Sequence, residues 1–144
     1  MAADPYNLQR FVEAQRSVYD DALAQLRQGR KTSHWMWFVF PQLAGLGHSA
    51  MAQRYALSSI EEARAYADHP ILGARLRKCL QALQNLPSDH AAIDIFGNVD
   101  ALKFCSSLTL FEAAGCGSLF SAAILRWFSG MKDRTTLNLL RSGD

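Results

Sequence analysis

The sequence predicts an all-α fold, and three observations predict it. Apolar residues recur at helical spacing through most of the chain, Ser and Asp caps stand where the periodic runs begin, and no second strand-like segment offers a sheet partner. The 144 residues suit a single compact multi-helix domain of about six to eight helices spanning 1–144.

From Asn7 to Gln28 the apolar side chains Leu8, Phe11, Val12, Val18, Tyr19, Ala22, Leu23 and Leu26 form one face of a single helix that closes at Gly29. Trp35 to Phe40 is continuously apolar, and such a run does not reveal its period. It is a buried strand or a short buried helix capped by Ser33, and the lack of a sheet partner selects the helix. Ser58-Ser59-Ile60-Glu61-Glu62 contains two overlapping S-x-x-E capping boxes, which start a helix running to about Asp68. Pro70 suits the first turn of the next helix, whose face is Ile71, Leu72, Leu76, Cys79, Leu80 and Leu83, with Pro87 past its end. After a Ser88 cap, Ala91 to Phe96 stops at Gly97. Asn98 or Asp100 then caps a helix through Leu102, Phe104, Leu108 and Phe111, which the glycines at 115 and 117 break. Ser118 opens a helix to Phe128, and Asp133 caps a last one containing Leu137, Leu139 and Leu140. No repeat, low-complexity stretch or linker divides the chain.

Composition narrows the function classes. The chain is 49% hydrophobic and 19% charged, which excludes a disordered chain. A net charge of +2, with basic residues dispersed rather than clustered, gives no electrostatic case for nucleic acid and leaves room for a local basic pocket that takes one small anion. Cys79, Cys105 and Cys116 are odd in number and lack paired spacing, so they read as buried free thiols. The N-terminus has no basic segment followed by an apolar run, and the longest apolar stretch is too short to span a bilayer. The expected setting is the cytoplasm, away from membranes.

Two clusters carry candidate chemistry. The first is Ser33, His34, Trp35, Trp37, Phe40, Pro41 and Gln42, continuing through Gly45, Gly47, His48 and Ser49. Two indoles with polar groups at the edges suit a pocket that grips a planar ring, and they suit equally a central core element. Gly45, Gly47 and Ser49, followed by Arg54, can present backbone amides and a cation to an anion, or form a tight turn. The second cluster is IFGNVDALKFCSSLTLF, in which Lys103 shares a helical face with Ser106 and Ser107. There the lysine can bind an anion or lower a hydroxyl's proton affinity; equally, it can snorkel to solvent while the hydroxyls bond back to their own helix. His34, His48, His69 and His90 show no metal-ligand spacing, and no metal or cofactor is expected. Nucleophile-elbow, phosphate-loop and dinucleotide fingerprints are absent.

Over these same segments the chain resembles the bacterial family catalogued as domain of unknown function 1810, some members of which carry a calpastatin-like label. The carriers are SHWMWFVFPQLAGLGHS at 33–49, YALSSIEEARAYADHPILGARL at 55–76, IFGNVDALKFCSSLTLF at 95–111 and DRTT at 133–136, and the resemblance runs from about Leu8 to Leu140. It implies an all-α fold and transfers no activity. A calpastatin-type inhibitor would be a polar, disordered chain, unlike this one. A more distant similarity is to small helical domains that process ADP-ribose-type metabolites, and none of their catalytic residues is carried over.

The expectation that follows is a small-molecule-binding domain or enzyme for a nucleotide-like or ADP-ribose-like anion. Trp35 and Trp37 would stack on its ring. Gly45, Gly47, His48, Ser49 and Arg54 would hold the anion together with Lys103, Ser33, Gln42, Ser106 and Ser107, and His34 would carry protons. The alternative is a non-catalytic protein-interaction module built on the aromatic segment.

Overall fold

The computed structural model describes residues 3–142, and nine helices form within them: α1 (Gln9–Gln15), α2 (Tyr19–Gln28), α3 (Met36–Val39), α4 (Ala50–Arg54), α5 (Ile60–Asp68), α6 (Leu72–Gln84), α7 (Ala92–Ala113), α8 (Ser118–Phe128) and α9 (Arg134–Ser142). All-α architecture is as predicted. The count exceeds the expected six to eight because the first predicted helix is two, and because α4 is a short helix with no apolar period to announce it. Helix α7 is the central element, packed on α5, α8 and α9, while α6 closes the far side against α2, α5 and α8. Between them lie the fully buried Phe11, Trp35, Phe40, Tyr66, Phe104, Phe111 and Phe120.

The split between α1 and α2 has a local cause. The Arg16 N–H donates to Glu13 O and the Val18 N–H to Gln15 O, both one residue short of an α-helical bond. The tightened turn accompanies a buried Gln15, whose amide donates to Phe38 O at 2.7 Å and to the Tyr66 hydroxyl at 3.0 Å. Apolar spacing runs across the break unchanged, which is why periodicity alone joins the two. Gly29, at φ 78°, ends α2 as predicted.

The Trp35–Phe40 segment is helical over Met36–Val39, but Ser33 does not cap it. The residue before α3 is Trp35, which offers no side-chain cap, and Ser33 Oγ instead accepts from the Gln25 amide at 2.8 Å. One Gln25 oxygen organises the whole approach to α3, accepting from Thr32 N, Ser33 N and Trp35 Nε1. Of the two overlapping capping boxes the second forms in its hydroxyl half: Ser59 Oγ accepts from Glu62 N at 3.1 Å. The Glu62 carboxylate reaches back to Ser58 N and Oγ, and pairs with Arg10 at 3.0 Å. His69 Nδ1 accepts from Ile71 N and Leu72 N, giving α6 a cap beside Pro70.

Gly97 interrupts α7 at φ 79° and ψ 172°, a backbone that side-chain-bearing residues avoid, so the predicted stop appears as a kink. Neither Ser88 nor Asp100 caps a helix as expected. Ala91 precedes α7 without a side-chain cap, and the Asp100 carboxylate is committed to lysines. Asp133 does cap α9, through Thr136 N at 2.9 Å. A single parallel bridge, Leu43 to Leu57, ties the loop after α3 to the start of α5. Arginines hold several helix C-termini from a distance: Arg126 donates to the carbonyls of Leu83, Gln84, Leu86 and Pro87, and Arg64 donates to Ala114 O.

Candidate functional site

The aromatic segment divides between core and surface. Trp35 is fully enclosed, its indole N–H bonded to Gln25 at 2.9 Å and its ring packed on Phe40, so stacking on a ligand is not open to it. Met36, Phe38, Val39 and Phe40 are buried as well. Trp37 is half-buried and tilted against Phe38, which leaves part of its indole at the surface. Of the two indoles, Trp37 is the one with a surface open to solvent. His34 is exposed on the loop ahead of α3, and Ser33 is exposed but held by Gln25.

Lys103 reaches the same place from α7. Its ammonium stands 5.1 Å from the Trp37 ring centroid, a cation–π distance, and 3.7 Å from the Asp100 carboxylate. Asp100 is shared: its other oxygen binds Lys31 at 2.7 Å, and the Lys31 ammonium lies 5.1 Å from the Trp35 ring. The Lys31 side chain is 7% exposed and that of Lys103 is 26% exposed. Lys31 and Asp100 are thus a largely buried pair that ties the loop to α7, and Lys103 is the cation more open to solvent. Two lysines surround one carboxylate, a formal excess of one positive charge.

Trp37, Gln42 and Lys103 line one small cavity with Met36, Phe40, Ala52 and Tyr55, so three segments distant in sequence converge there. Its volume is about 10 Å³, room for roughly one water in this closed arrangement. Of the predicted site residues, Ser33, His34, Trp35, Gly45, Gly47, His48, Ser49, Arg54, Ser106 and Ser107 do not line it. Sequence reasoning misses Lys31, Asp100 as an ion-pair partner, and Tyr55. Lys31 and Asp100 are 69 residues apart with no shared periodicity, and no local pattern signals such a pair.

The glycine segment takes up packing roles. Gly47 sits against Ala52, where an added Cβ would come within 2.4 Å of the Ala52 Cβ, and Gly45, at φ 102°, lies beside Leu139 of α9. Ser49 caps α4 by accepting from Ala52 N at 3.1 Å, and His48 O accepts from the Gln53 amide. Arg54 is exposed, with its guanidinium 5.4 Å from the Tyr55 ring centroid. On α7, Ser106 Oγ donates back to Leu102 O at 3.0 Å, and Ser107 is completely buried.

Burial also decides the thiols. All three cysteines are free, and loss of solvation pushes the Cys79 thiol up to about 12 and the Cys105 thiol up to about 11, with Cys116 raised as well. None is poised as a nucleophile. Cys116 is partly exposed, whereas Cys79 and Cys105 are buried as the sequence suggests. Among the described residues no helix is long and apolar enough to cross a membrane.

No curated protein matches the chain. Among solved structures, the crystal structure of the conserved hypothetical protein Rv1873 from Mycobacterium tuberculosis is similar, with 47% identity, a TM-score of 0.93 and coverage of 96% of this chain and 99% of that one. The family model described as protein of unknown function (DUF1810) matches residues 5–140, nearly the full length. The chain therefore belongs to the DUF1810 family.

Proposed function

We propose that the protein is a small-molecule-binding domain for a nucleotide-like or ADP-ribose-like anion, and that Trp37, Lys103 and Gln42 form its recognition site. The observation that carries the proposal is the convergence on one cavity of a partly exposed indole, a cation standing over it and a carboxamide. An aromatic face takes the ring, the ammonium takes the charge and the carboxamide gives direction. The 10 Å³ cavity is too small for such a ligand, so binding requires Trp37 and Lys103, two of its partly exposed walls, to part. His34 stands exposed on the adjoining loop, in the same segment as Trp37. The three free thiols support a reducing, cytoplasmic setting.

A thermal-shift screen against nucleotides, ADP-ribose, NAD and sugar phosphates tests the proposal. A ligand at about 100 times its dissociation constant adds about 2.7 kcal/mol, or roughly 5–10 °C for a chain of this size. The shift should vanish in Lys103→Ala while the fold persists. A panel without any shift would count against it.

One observation favours a second reading, the protein-interaction module. Val99, Leu102, Leu125 and Met131 are each about two-thirds or more exposed, and they lie on α7, on α8 and in the loop after α8. A silent ligand panel, combined with concentration-dependent sedimentation that Leu102→Ser abolishes, would favour that reading.

A further inference from the structure

Ser107 Oγ is the one fully buried side-chain oxygen or nitrogen among the described residues that has no hydrogen-bond partner. Its neighbours on α7 are satisfied: Ser106 Oγ donates to Leu102 O at 3.0 Å, Thr109 Oγ1 donates to Cys105 O at 2.8 Å, and Thr109 also accepts from Asp133 N at 2.9 Å. A hydroxyl stripped of water with nothing to bond is destabilising at a position where alanine would be neutral. Stability therefore gives no reason for a serine here.

Position suggests a reason. Ser107 follows Lys103 by four residues on an unbroken stretch of α7, so the two share a face. Along that face exposure falls from 26% at the Lys103 side chain to nothing at Ser107. Phe40, in the wall of the small cavity, packs at 4.9 Å on Phe104, the residue after Lys103.

We infer that the cavity beneath Trp37 and Lys103 extends inward along this face when Trp37 swings aside, and that Ser107 is its polar floor. Its hydroxyl donates to an oxygen of the ligand, phosphoryl or carboxyl, while Lys103 balances the charge at the mouth. A site built to hydrogen-bond its ligand leaves such a group unpaired until the ligand arrives. The inference rests on the ligand-site proposal above and names the ligand group that site would read.

Its test needs no ligand. The variant S107C is exposed to a small methanethiosulfonate reagent and modification is followed site by site by mass spectrometry, with the buried Cys79 as internal control. The expected result is modification at 107 about tenfold faster than at Cys79, accelerated further when Trp37→Ala is added, with Cys79 unchanged. Labelling at 107 no faster than at Cys79, with or without Trp37→Ala, overturns the inference. Thermal melting of Ser107→Ala gives a second check. An unchanged or raised Tm agrees with an unsatisfied hydroxyl, and a clearly lowered Tm overturns it by showing a structural bond. If S107C stays inert while Lys103→Ala still abolishes ligand binding, the floor is wrong and the ligand site stands. A reactive S107C beside a silent ligand panel means the opposite: the face opens to Ser107, and the ligand class is wrong.

Discussion

Trp35 and Trp37 are two residues apart and do different work. Trp35 fills the core with its indole N–H on Gln25, and Trp37 keeps part of its ring at the surface under the Lys103 ammonium. Trp35→Ala should cost about 3–5 kcal/mol in urea unfolding, the usual loss for a buried aromatic, and Trp37→Ala clearly less, because part of its ring is already in water. Equal losses would contradict the assignment. Gln25→Ala strips three donors of their shared acceptor, and one of them, the Trp35 indole, lies in the core; a loss of about 1–3 kcal/mol is expected. From sequence the two tryptophans are indistinguishable, since a continuous apolar run carries no period that could say which indole faces inward. Lys103 is legible as a candidate because it interrupts an apolar helix. Its partner Asp100 reads instead as a helix cap, because Lys31, which claims it, comes from another part of the chain.

At the scale of helices, ends are legible where their chemistry is local. Gly29, the Ser59–Glu62 pair and the Asp133–Thr136 pair stand within four residues of the ends they fix. The ends held by Arg126 and Arg64 are not legible, because each guanidinium arrives from a helix about 40 to 50 residues away. Arg126→Ala should lower stability by about 2–3 kcal/mol through four carbonyls left short of a donor. A change within about 0.5 kcal/mol would show that water replaces the guanidinium at no cost. Among the helices of eight residues or more, α9 is the weakest attachment. Thr136 is its one fully buried residue, Leu139 and Leu140 are half-buried, and clefts of about 370 and 510 Å³ flank it. Amides of α9 should therefore exchange hydrogen through local opening, well before those of the buried half of α7, and Thr136→Val should accelerate α9 alone.

For the molecule as a whole, burial shapes how stability depends on pH. Loss of solvation raises the Cys79, Cys105 and Cys116 thiols, and the Tyr66 phenol in the core is raised likewise. In the unfolded chain these groups ionise near their ordinary values, about 8.5 for a thiol and 10 for a phenol. Their contribution to stability is complete below about pH 8.5. It falls as pH rises toward the folded thiol values of about 11 and 12, because only the unfolded state can then release its protons. Chemical unfolding between about pH 8 and 11 should show this decline, and Cys79→Ala should flatten part of it. The fold and its family are legible because amphipathic periods and long local motifs specify them, and the solved relative has the same architecture. The composition of the cavity is legible only in part: Trp37, Gln42 and Lys103 stand out as residue types in their segments, whereas their meeting with Tyr55 and Ala52 depends on tertiary packing.

The most direct test of the central claim is a fluorescence titration with ADP-ribose and with nucleotides, comparing the wild type with Trp37→Phe and Lys103→Ala. Trp35 and Trp127, the other two tryptophans, are buried, so a ligand seated over α3 should report through Trp37. The account predicts a saturable change for at least one of these anions in the wild type, its loss in Trp37→Phe, and no binding by Lys103→Ala. No saturable change with any of them, or one that survives in both variants, would contradict it.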